Sequence, residues 1–233
     1  MRIYIQVSIW TALLAIPGVI SGGITLSDMI SYVIAAFLLR TLTRSNVSYK
    51  LADRVRSGSV AVDMIRPTPL ISYMFFEQLS ENLFSLLISG TPVIILSAVF
   101  FGIKVPTFIN LSLFLTSVVL AVILMFYIEY VFGLGVFWLK NGTHTDFIVS
   151  GMFTVFSGMT IPLWFYPEAL ARVCDVLPFK LVAFEPISIF LGRYDLSQAL
   201  GVILLQLLWL GIFVLLERLV WHTVQRYMFI QGG

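Results

Sequence analysis

Three glutamates lie within long apolar segments, where a charged side chain is costly and is therefore a candidate for function. Glu77 and Glu81 are one helical turn apart, and Glu129 lies nine residues before Trp138. At about 1.5 Å per residue, Glu81 and Glu129 would reach similar depths in two antiparallel helices. One interpretation is an acidic wall that attracts a cationic or amphipathic substrate. The other is a set of hydrogen-bonded acids that fix one helix against the next, with Glu77 at the interface.

Serine chemistry within the membrane is a second possibility. Ser150 and Ser157 are each followed by glycine, and the two histidines are His144 and His222. Phe156 and Val155 precede Ser157, so the first glycine of a Gly-x-Ser-Gly motif is missing. The histidines fall in a predicted loop and at the end of the last apolar run, away from both serines. An intramembrane serine protease is therefore a remote alternative.

Nucleotide hydrolysis would need a phosphate-binding loop, and the chain has none of the Walker type. Its four lysines are never preceded by glycine and followed by Ser or Thr. If ATP drives this protein, ATP and its Mg²⁺ are bound by another chain. The single cysteine, Cys174, provides neither a disulfide nor a metal-ligand pair, so we expect no metal and no cofactor here.

The elements that carry these residues are membrane spans. Hydrophobic residues make up 59% of the chain and charged residues 11%, whereas a soluble domain has about 25% charged residues. Because a span needs about 20 mostly apolar residues, the 233 residues predict a single all-α membrane domain, 1–233, with about six spans. We place them near 3–20, 26–44, 71–101, 109–138, 147–165 and 197–220.

The distribution of basic residues predicts the orientation. With the N-terminus inside, ten Lys and Arg lie in inner segments and four in outer segments, which places both termini in the cytoplasm. Glu217 and Arg218, at the end of the last span, are interpreted as interfacial anchors. Nucleic acid is not expected as a partner, because the basic residues flank apolar runs.

A basic region, residues 40–69, separates the second and third spans. It holds six of the 14 Lys and Arg and two aspartates. These are Arg40, Arg44, Lys50, Arg54, Arg56 and Arg66, with Asp53 and Asp63. The region is too long for a simple turn, so it is where the protein would meet whatever drives it. Anchoring to anionic lipid is the alternative.

Prolines divide the apolar segment 158–195 into pieces too short to cross a bilayer. They are Pro162, Pro167, Pro178 and Pro186. Because broken helices at membrane depth need protein or water to cover their free backbone groups, the pattern predicts two short helices that dip into the outer leaflet. Glu168 and Arg172, four residues apart, can form an ion pair on the first. An irregular surface loop is the alternative.

These features together resemble the permease subunits of bacterial type 2 ATP-binding-cassette exporters, over nearly the whole chain. The residues that carry the resemblance occur in a fixed order. They are Arg56-Ser57-Gly58, Met64 to Pro67, Gly133 to Trp138, Ser157-Gly158, Ile161-Pro162, Tyr166-Pro167, Leu177 to Phe179, Pro186 to Arg193, Gln206, Trp209, Arg226-Tyr227 and Gly232-Gly233. One departure is at the start: family members usually carry an amphipathic cytoplasmic helix before the first span, and this sequence enters an apolar run almost at once.

The resemblance implies a coupling helix in residues 55–67 that docks in a groove of an ATPase subunit. Its bases would pair with acidic groups of the ATPase, and Val60, Val62, Met64 and Ile65 could be buried there. The residues assigned to coupling are Arg54, Arg56, Ser57, Gly58, Val62, Asp63, Ile65, Arg66 and Pro67.

The resemblance also implies that segment 158–195 forms re-entrant helices that close the exit. The residues assigned to this outer gate are Pro162, Trp164, Phe165, Pro167, Glu168, Pro178 and Phe179. Glu77, Glu81 and Glu129 are assigned to the substrate pathway.

The function expected from the resemblance is ATP-driven export of a hydrophobic or amphipathic substrate, as in multidrug efflux, from a bacterial inner membrane. The chain itself would be non-catalytic. A second permease, identical or a sister, is expected because one chain of six spans is small for a complete path. The resemblance at Pro186 to Arg193 implies a sister subunit in preference to a second copy. A stand-alone ion-coupled transporter that uses Glu81 and Glu129 is the main alternative.

Overall fold

The computed structural model describes residues 2–14, 24–100, 106–139 and 142–231, and within these ranges it contains helices and no strand. The all-α prediction is confirmed for that part of the chain. The α-helices are α1 (Arg2–Leu14), α2 (Leu26–Thr43), α3 (Val47–Ser57), α4 (Ser59–Ile65), α5 (Leu70–Ser85), α6 (Thr91–Phe100), α7 (Phe108–Gly133), α8 (Val136–Leu139), α9 (Gly142–Phe156), α10 (Glu168–Val176), α11 (Phe184–Phe190) and α12 (Leu196–Gln231).

Four helical stretches are long and apolar enough to cross a membrane: Leu26–Ser57, Leu70–Ser97, Phe108–Trp138 and Leu196–Arg226. They coincide with the second, third, fourth and sixth predicted spans. The fifth predicted span, 147–165, contains a shorter apolar helix, Thr145–Phe156. The first, 3–20, extends beyond the described residues. The chain is therefore a multi-pass membrane protein with four span-length helices in its described part.

The third predicted span is interrupted near Pro92. A π-helical turn, Leu86–Gly90, separates α5 from α6. Proline has no N–H to donate to the preceding turn, and π-helical turns are a recognised cause of kinks, so the interruption has a local reason. At Gly90, an added Cβ would lie 3.2 Å from Leu38 Cδ2, so the glycine also allows α2 to approach closely.

Helix α7 is the centre of the packing. It contacts α2, α3, α9, α11 and α12, and α12 is its most extensive neighbour. One apolar cluster along α7 includes Leu124 and Ile128 and joins α7 to α9 and α11. A second cluster includes Tyr130 and Leu134 and joins the other end of α7 to α3, α5 and α12. Helix α3 packs directly against α7 and also against α9.

The proline-rich segment folds into short pieces. Two 3₁₀ turns, Leu163–Phe165 and Pro178–Val182, alternate with α10 and α11, which have nine and seven residues. The residues of α11 from Phe184 to Ile189 are all buried. The predicted ion pair between Arg172 and Glu168 on α10 is present at 3.6 Å.

Candidate functional site

The basic region forms two helices joined at a glycine. Helix α3 ends at Ser57 and is capped by Gly58, whose φ of 75° is left-handed and whose N–H donates to the carbonyl of Val55. A side chain at this φ would be strained, although the surrounding space is open. Helix α4 begins at Ser59. We call residues 47–67 the α3–α4 segment.

Two bases of α3 fasten it to α5. Lys50 Nζ lies 2.7 Å from Glu81 Oε1 and 3.1 Å from Glu77 Oε1, and Arg54 Nη2 lies 2.9 Å from Glu77 Oε2. Charge-assisted hydrogen bonds of this length are among the stronger polar contacts in proteins. The charges of Glu77 and Glu81, in the third predicted span, are therefore neutralised by ion pairs with bases of the same chain.

Arg54 also folds α4 back onto α3. Its Nη1 donates to Oδ2 of the buried Asp63 over 2.6 Å, and its guanidinium lies 5.0 Å from the centre of the Tyr73 ring. Arg66 lies 3.5 Å from Asp63 and 4.9 Å from the same ring. Arg54 is only 18% exposed, so it organises the segment internally.

The opposite side of α3 lies against α7. Ser48 Oγ is 3.1 Å from the carbonyl of Glu129 and 3.3 Å from its Oε2, and Glu129 is buried. Close approach is possible because residue 133 is glycine: an added Cβ would lie 3.0 Å from Ser48 Cα. The glycine therefore allows the backbones of α3 and α7 to approach each other closely.

The three glutamates therefore do not form one open acidic wall. Glu77 and Glu81 face α3 from α5, whereas Glu129 reaches the same helix from α7. What they share is contact with α3. This arrangement favours the interpretation in which buried or paired acids fix helices against one another.

The predicted coupling residues divide into an inner and an outer set. Arg54, Asp63 and Val60 point inward, and Val60 joins the chain's own apolar cluster. The outer set contains Ile65, which is 84% exposed, Val62, which is 61% exposed, and Arg56, whose side chain is 72% exposed. Ser57, Gly58, Arg66 and Pro67 are also exposed. The side chain of Met64 lies outside the described residues.

Two of the predicted outer-gate residues, Trp164 and Phe165, pack against aromatic rings of other helices. Trp164 meets the rings of Tyr32 and Phe184 edge to face, at 5.5 and 5.1 Å between ring centres. The Arg193 guanidinium lies 4.1 Å from the centre of the Trp164 ring. Phe165 stacks on Trp10 of α1 at 5.0 Å. These contacts draw α1, α2 and α11 together at one place.

The remaining gate residues differ in exposure. Pro162, Pro178 and Phe179 are buried, whereas Pro167 and Glu168 are exposed. Buried hydrogen bonds hold this region in place: Tyr32 donates its O–H to the Gly158 carbonyl over 2.6 Å. The amide of Phe184 donates to the Ser157 carbonyl over 3.1 Å.

Two polar groups at this end were not singled out as site residues. Gln206 of α12 is fully buried and donates to the carbonyls of Ser117 and Leu181 over 3.1 and 2.8 Å. Lys180 lies 2.7 Å from Asp175 and 3.0 Å from the buried Glu185. The sequence does show opposite charges at positions 175, 180 and 185. It does not show that these three side chains contact one another in the fold.

Among the described residues, neither serine considered for proteolysis is hydrogen-bonded to a histidine. Ser157 is buried, and its Oγ accepts a hydrogen bond from the amide of Met159. Ser150 is exposed on α9, and His222 is exposed near the end of α12. The side chain of His144 lies outside the described residues.

Removing the glycine contact between α3 and α7 should destabilise the chain. We expect Gly133→Ala to lower the free energy of unfolding by about 1–3 kcal/mol, because the new methyl group meets the backbone of Ser48 and the helices must separate. Gly151→Ala on α9 meets no atom within 4 Å and should be neutral or slightly stabilising. Thermal unfolding of both variants in detergent micelles measures the difference, and equal midpoints would contradict the close contact.

Comparison with known proteins gives one match. The family model described as "ABC-2 family transporter protein" matches residues 4–232. No curated protein and no solved structure matches the chain.

Proposed function

The chain belongs to the ABC-2 family of transporter proteins, and we propose that it is the permease of an exporter driven by separate ATPase subunits that dock on the α3–α4 segment. The substrate is hydrophobic or amphipathic and leaves the cytoplasm. Hydrolysis takes place in the ATPase chains, which hold ATP and Mg²⁺, and the permease is non-catalytic.

The observation that supports this proposal most directly is the two-sided character of the α3–α4 segment. Its inner side is fastened to α5 by ion pairs and to α7 by a glycine contact. Its outer side carries Val62 and Ile65, with Arg56 and Arg66 beside them. Exposed apolar side chains rimmed by charge are typical of a protein-binding surface. An ATPase groove with apolar walls and an acidic rim would complement it.

The same contacts provide a route for mechanical coupling. A force applied to α4 passes to α3 through Arg54 and Asp63, and from α3 to α5 and α7. Helix α7 in turn packs against α11 and the adjoining 3₁₀ turn, next to the gate residues. Closure of the ATPase subunits would in this way move the residues around Trp164 and open the exit.

The proposed transporter contains a second permease in addition to this chain and the ATPase subunits. Six spans with both termini in the cytoplasm of a bacterium place the α3–α4 segment on the ATPase side of the inner membrane. One chain supplies half of a path, so a second permease, a sister subunit in preference to a second copy, completes it. Glu77, Glu81 and Glu129 lie beside that path, where they hold α3 in register.

Affinity purification from native membranes tests the proposal. The tagged chain, extracted in a mild detergent, should retain an ATPase subunit, and substrate efflux from vesicles should stop with vanadate. If no ATPase is retained and a proton uncoupler, not vanadate, stops the efflux, the ion-coupled alternative replaces the proposal.

A further inference from the structure

A cleft of about 540 Å³ opens between the α4–α5 connection, α7 and α12. Ligand pockets in proteins commonly have volumes of about 300–1,000 Å³. The lining residues that matter for its chemistry are Asp63, Arg66, Tyr127, Tyr130, Glu217 and Trp221. Glu77, Glu81 and Glu129 do not line this cleft, which lies at the same end of the molecule as the α3–α4 segment.

Glu217 is the unusual residue of the cleft. It was interpreted from sequence as an interfacial anchor, but it is only 9% exposed, on the side of α12 that packs towards α7. Within the described part of the chain, its carboxylate forms no hydrogen bond and no ion pair. The side chain is mostly covered, but its carboxylate lines the open cleft, so it is accessible to a positively charged group that enters there.

The other charges around the cleft are already paired or lie at its rim. Asp63 bonds to Arg54 and Arg66, and Arg66 also covers the Tyr73 ring. Arg218 follows Glu217 in sequence and is exposed. Arg218 also lines the cleft, and Glu217 is the acidic residue of the lining that forms no hydrogen bond or ion pair within the described part of the chain.

Aromatic rings complete the lining. Tyr127 and Tyr130 of α7 and Trp221 of α12 all line the cleft. Trp221 lies one helical turn from Glu217, so the ring and the carboxylate lie on neighbouring parts of one helix face. Aromatic faces attract cations and also cover apolar groups, and a carboxylate beside three rings suits a cation carried on an apolar body.

The position of Glu217 along α12 suits the binding of such a ligand at the membrane boundary. Glu217 is 21 residues from the first residue of α12, Leu196, which is about 32 Å along the helix axis. That distance equals the thickness of the hydrocarbon layer, about 30 Å. If α12 enters the membrane near its first residues, Glu217 lies at the opposite boundary, where an amphiphile keeps its charged head.

We infer that this cleft binds an organic cation, with the positive nitrogen at Glu217 and the apolar part against Tyr127, Tyr130 and Trp221. The nitrogen can belong to a lipophilic cation on its way through the exporter or to the head group of an aminophospholipid. A role of the cleft in export rests on the proposed function, whereas its role as a binding site for organic cations does not.

Ethidium binding to the purified chain tests the inference. The chain is placed in nanodiscs of phosphatidylglycerol, which has no amine, and ethidium is titrated while its fluorescence anisotropy is recorded. We expect saturable binding, and Glu217→Gln should weaken it about tenfold or more, because the charge of the site is lost with little change of shape. Asp175→Asn removes an exposed carboxylate outside the cleft and should leave the affinity unchanged.

A second variant tests the cleft independently, in case Glu217→Gln fails to fold. Trp221→Leu removes one ring and keeps the carboxylate, and it should weaken ethidium binding severalfold. Nanodiscs with half phosphatidylethanolamine identify the source of the ligand: a marked loss of ethidium affinity assigns the cleft to a lipid head group, and unchanged affinity assigns it to a transported cation.

Equal affinity in the wild type, Glu217→Gln and Trp221→Leu would overturn the inference, as would the absence of saturable binding. The assay contains no ATPase, so it is independent of the proposed function. Retention of an ATPase without ethidium binding contradicts only the cation site, and ethidium binding without a retained ATPase contradicts only the proposed function.

Discussion

Replacing Val62 and Ile65 together by aspartate is expected to abolish association with the ATPase and the transport that depends on it. Both side chains are exposed, so the free energy of unfolding should change by no more than about 0.5 kcal/mol. Apolar anchors at the centre of an interface contribute about 2 kcal/mol or more each, which corresponds to about a thousandfold loss of affinity for the pair. The ATPase retained per permease after affinity purification measures the effect.

Val176→Asp is the matched control for this variant. Val176 is an exposed apolar residue of a short helix, as Val62 and Ile65 are, but it lies on α10 in the proline-rich segment. It should retain the ATPase at the wild-type level. Full retention by the Val62→Asp, Ile65→Asp double variant would show that α4 is not the docking surface.

Arg54→Met is expected to lower the free energy of unfolding by about 2 kcal/mol or more. The change removes the closest partner of the buried Asp63 and one partner of Glu77, and a buried carboxylate that loses its cation keeps its desolvation cost. Arg66 stays 3.5 Å from Asp63 and limits the loss. Thermal unfolding followed by tryptophan fluorescence in micelles measures the shift.

Arg56→Met is the control, because Arg56 lies two residues away with its side chain 72% exposed and paired only to the exposed Asp53 among the described residues. Its unfolding midpoint should stay within the error of the wild type, since exposed pairs contribute little, while its retention of the ATPase falls. If Arg54→Met and Arg56→Met shift the midpoint equally, the division of the segment into inner and outer sets is wrong.

The membrane helices could be predicted because their signal is local. A run of about 20 apolar residues has few alternatives to a spanning helix, and the predicted spans at 109–138 and 197–220 fall on α7 and α12. The pair between Glu168 and Arg172 could be predicted for the same reason, since four residues along a helix place two side chains on one face.

The partners of the charged residues could not be predicted, because they depend on packing between distant parts of the chain. Arg54 finds Asp63 nine residues away and Glu77 23 residues away. Ser117 and Gln206 are 89 residues apart. Composition identifies the region 40–69 as basic, but it does not say which bases face inward. That division decides whether a residue stabilises the permease or meets its partner.

Glu217 illustrates the same limit at the end of a span. Its position next to Arg218, after a long apolar run, is typical of an interfacial anchor. In the structure it faces α7, beside Tyr127 and Tyr130. Glu217 lies four residues after Phe213 and three residues before Val220, and both of these pack against the apolar clusters, so all three share one packed face of α12. The helical periodicity of the apolar residues along α12 could have shown from the sequence that Glu217 lies on the packed face.

Cross-linking from position 65 tests the central claim most directly. The natural Cys174 is buried, so a cysteine introduced as Ile65→Cys can carry a photoreactive group selectively in native membranes. The docking account predicts a cross-linked product that contains the permease and an ATPase subunit, and none from Val176→Cys on α10. A product with the ATPase from position 176, and only lipid adducts from position 65, would contradict it.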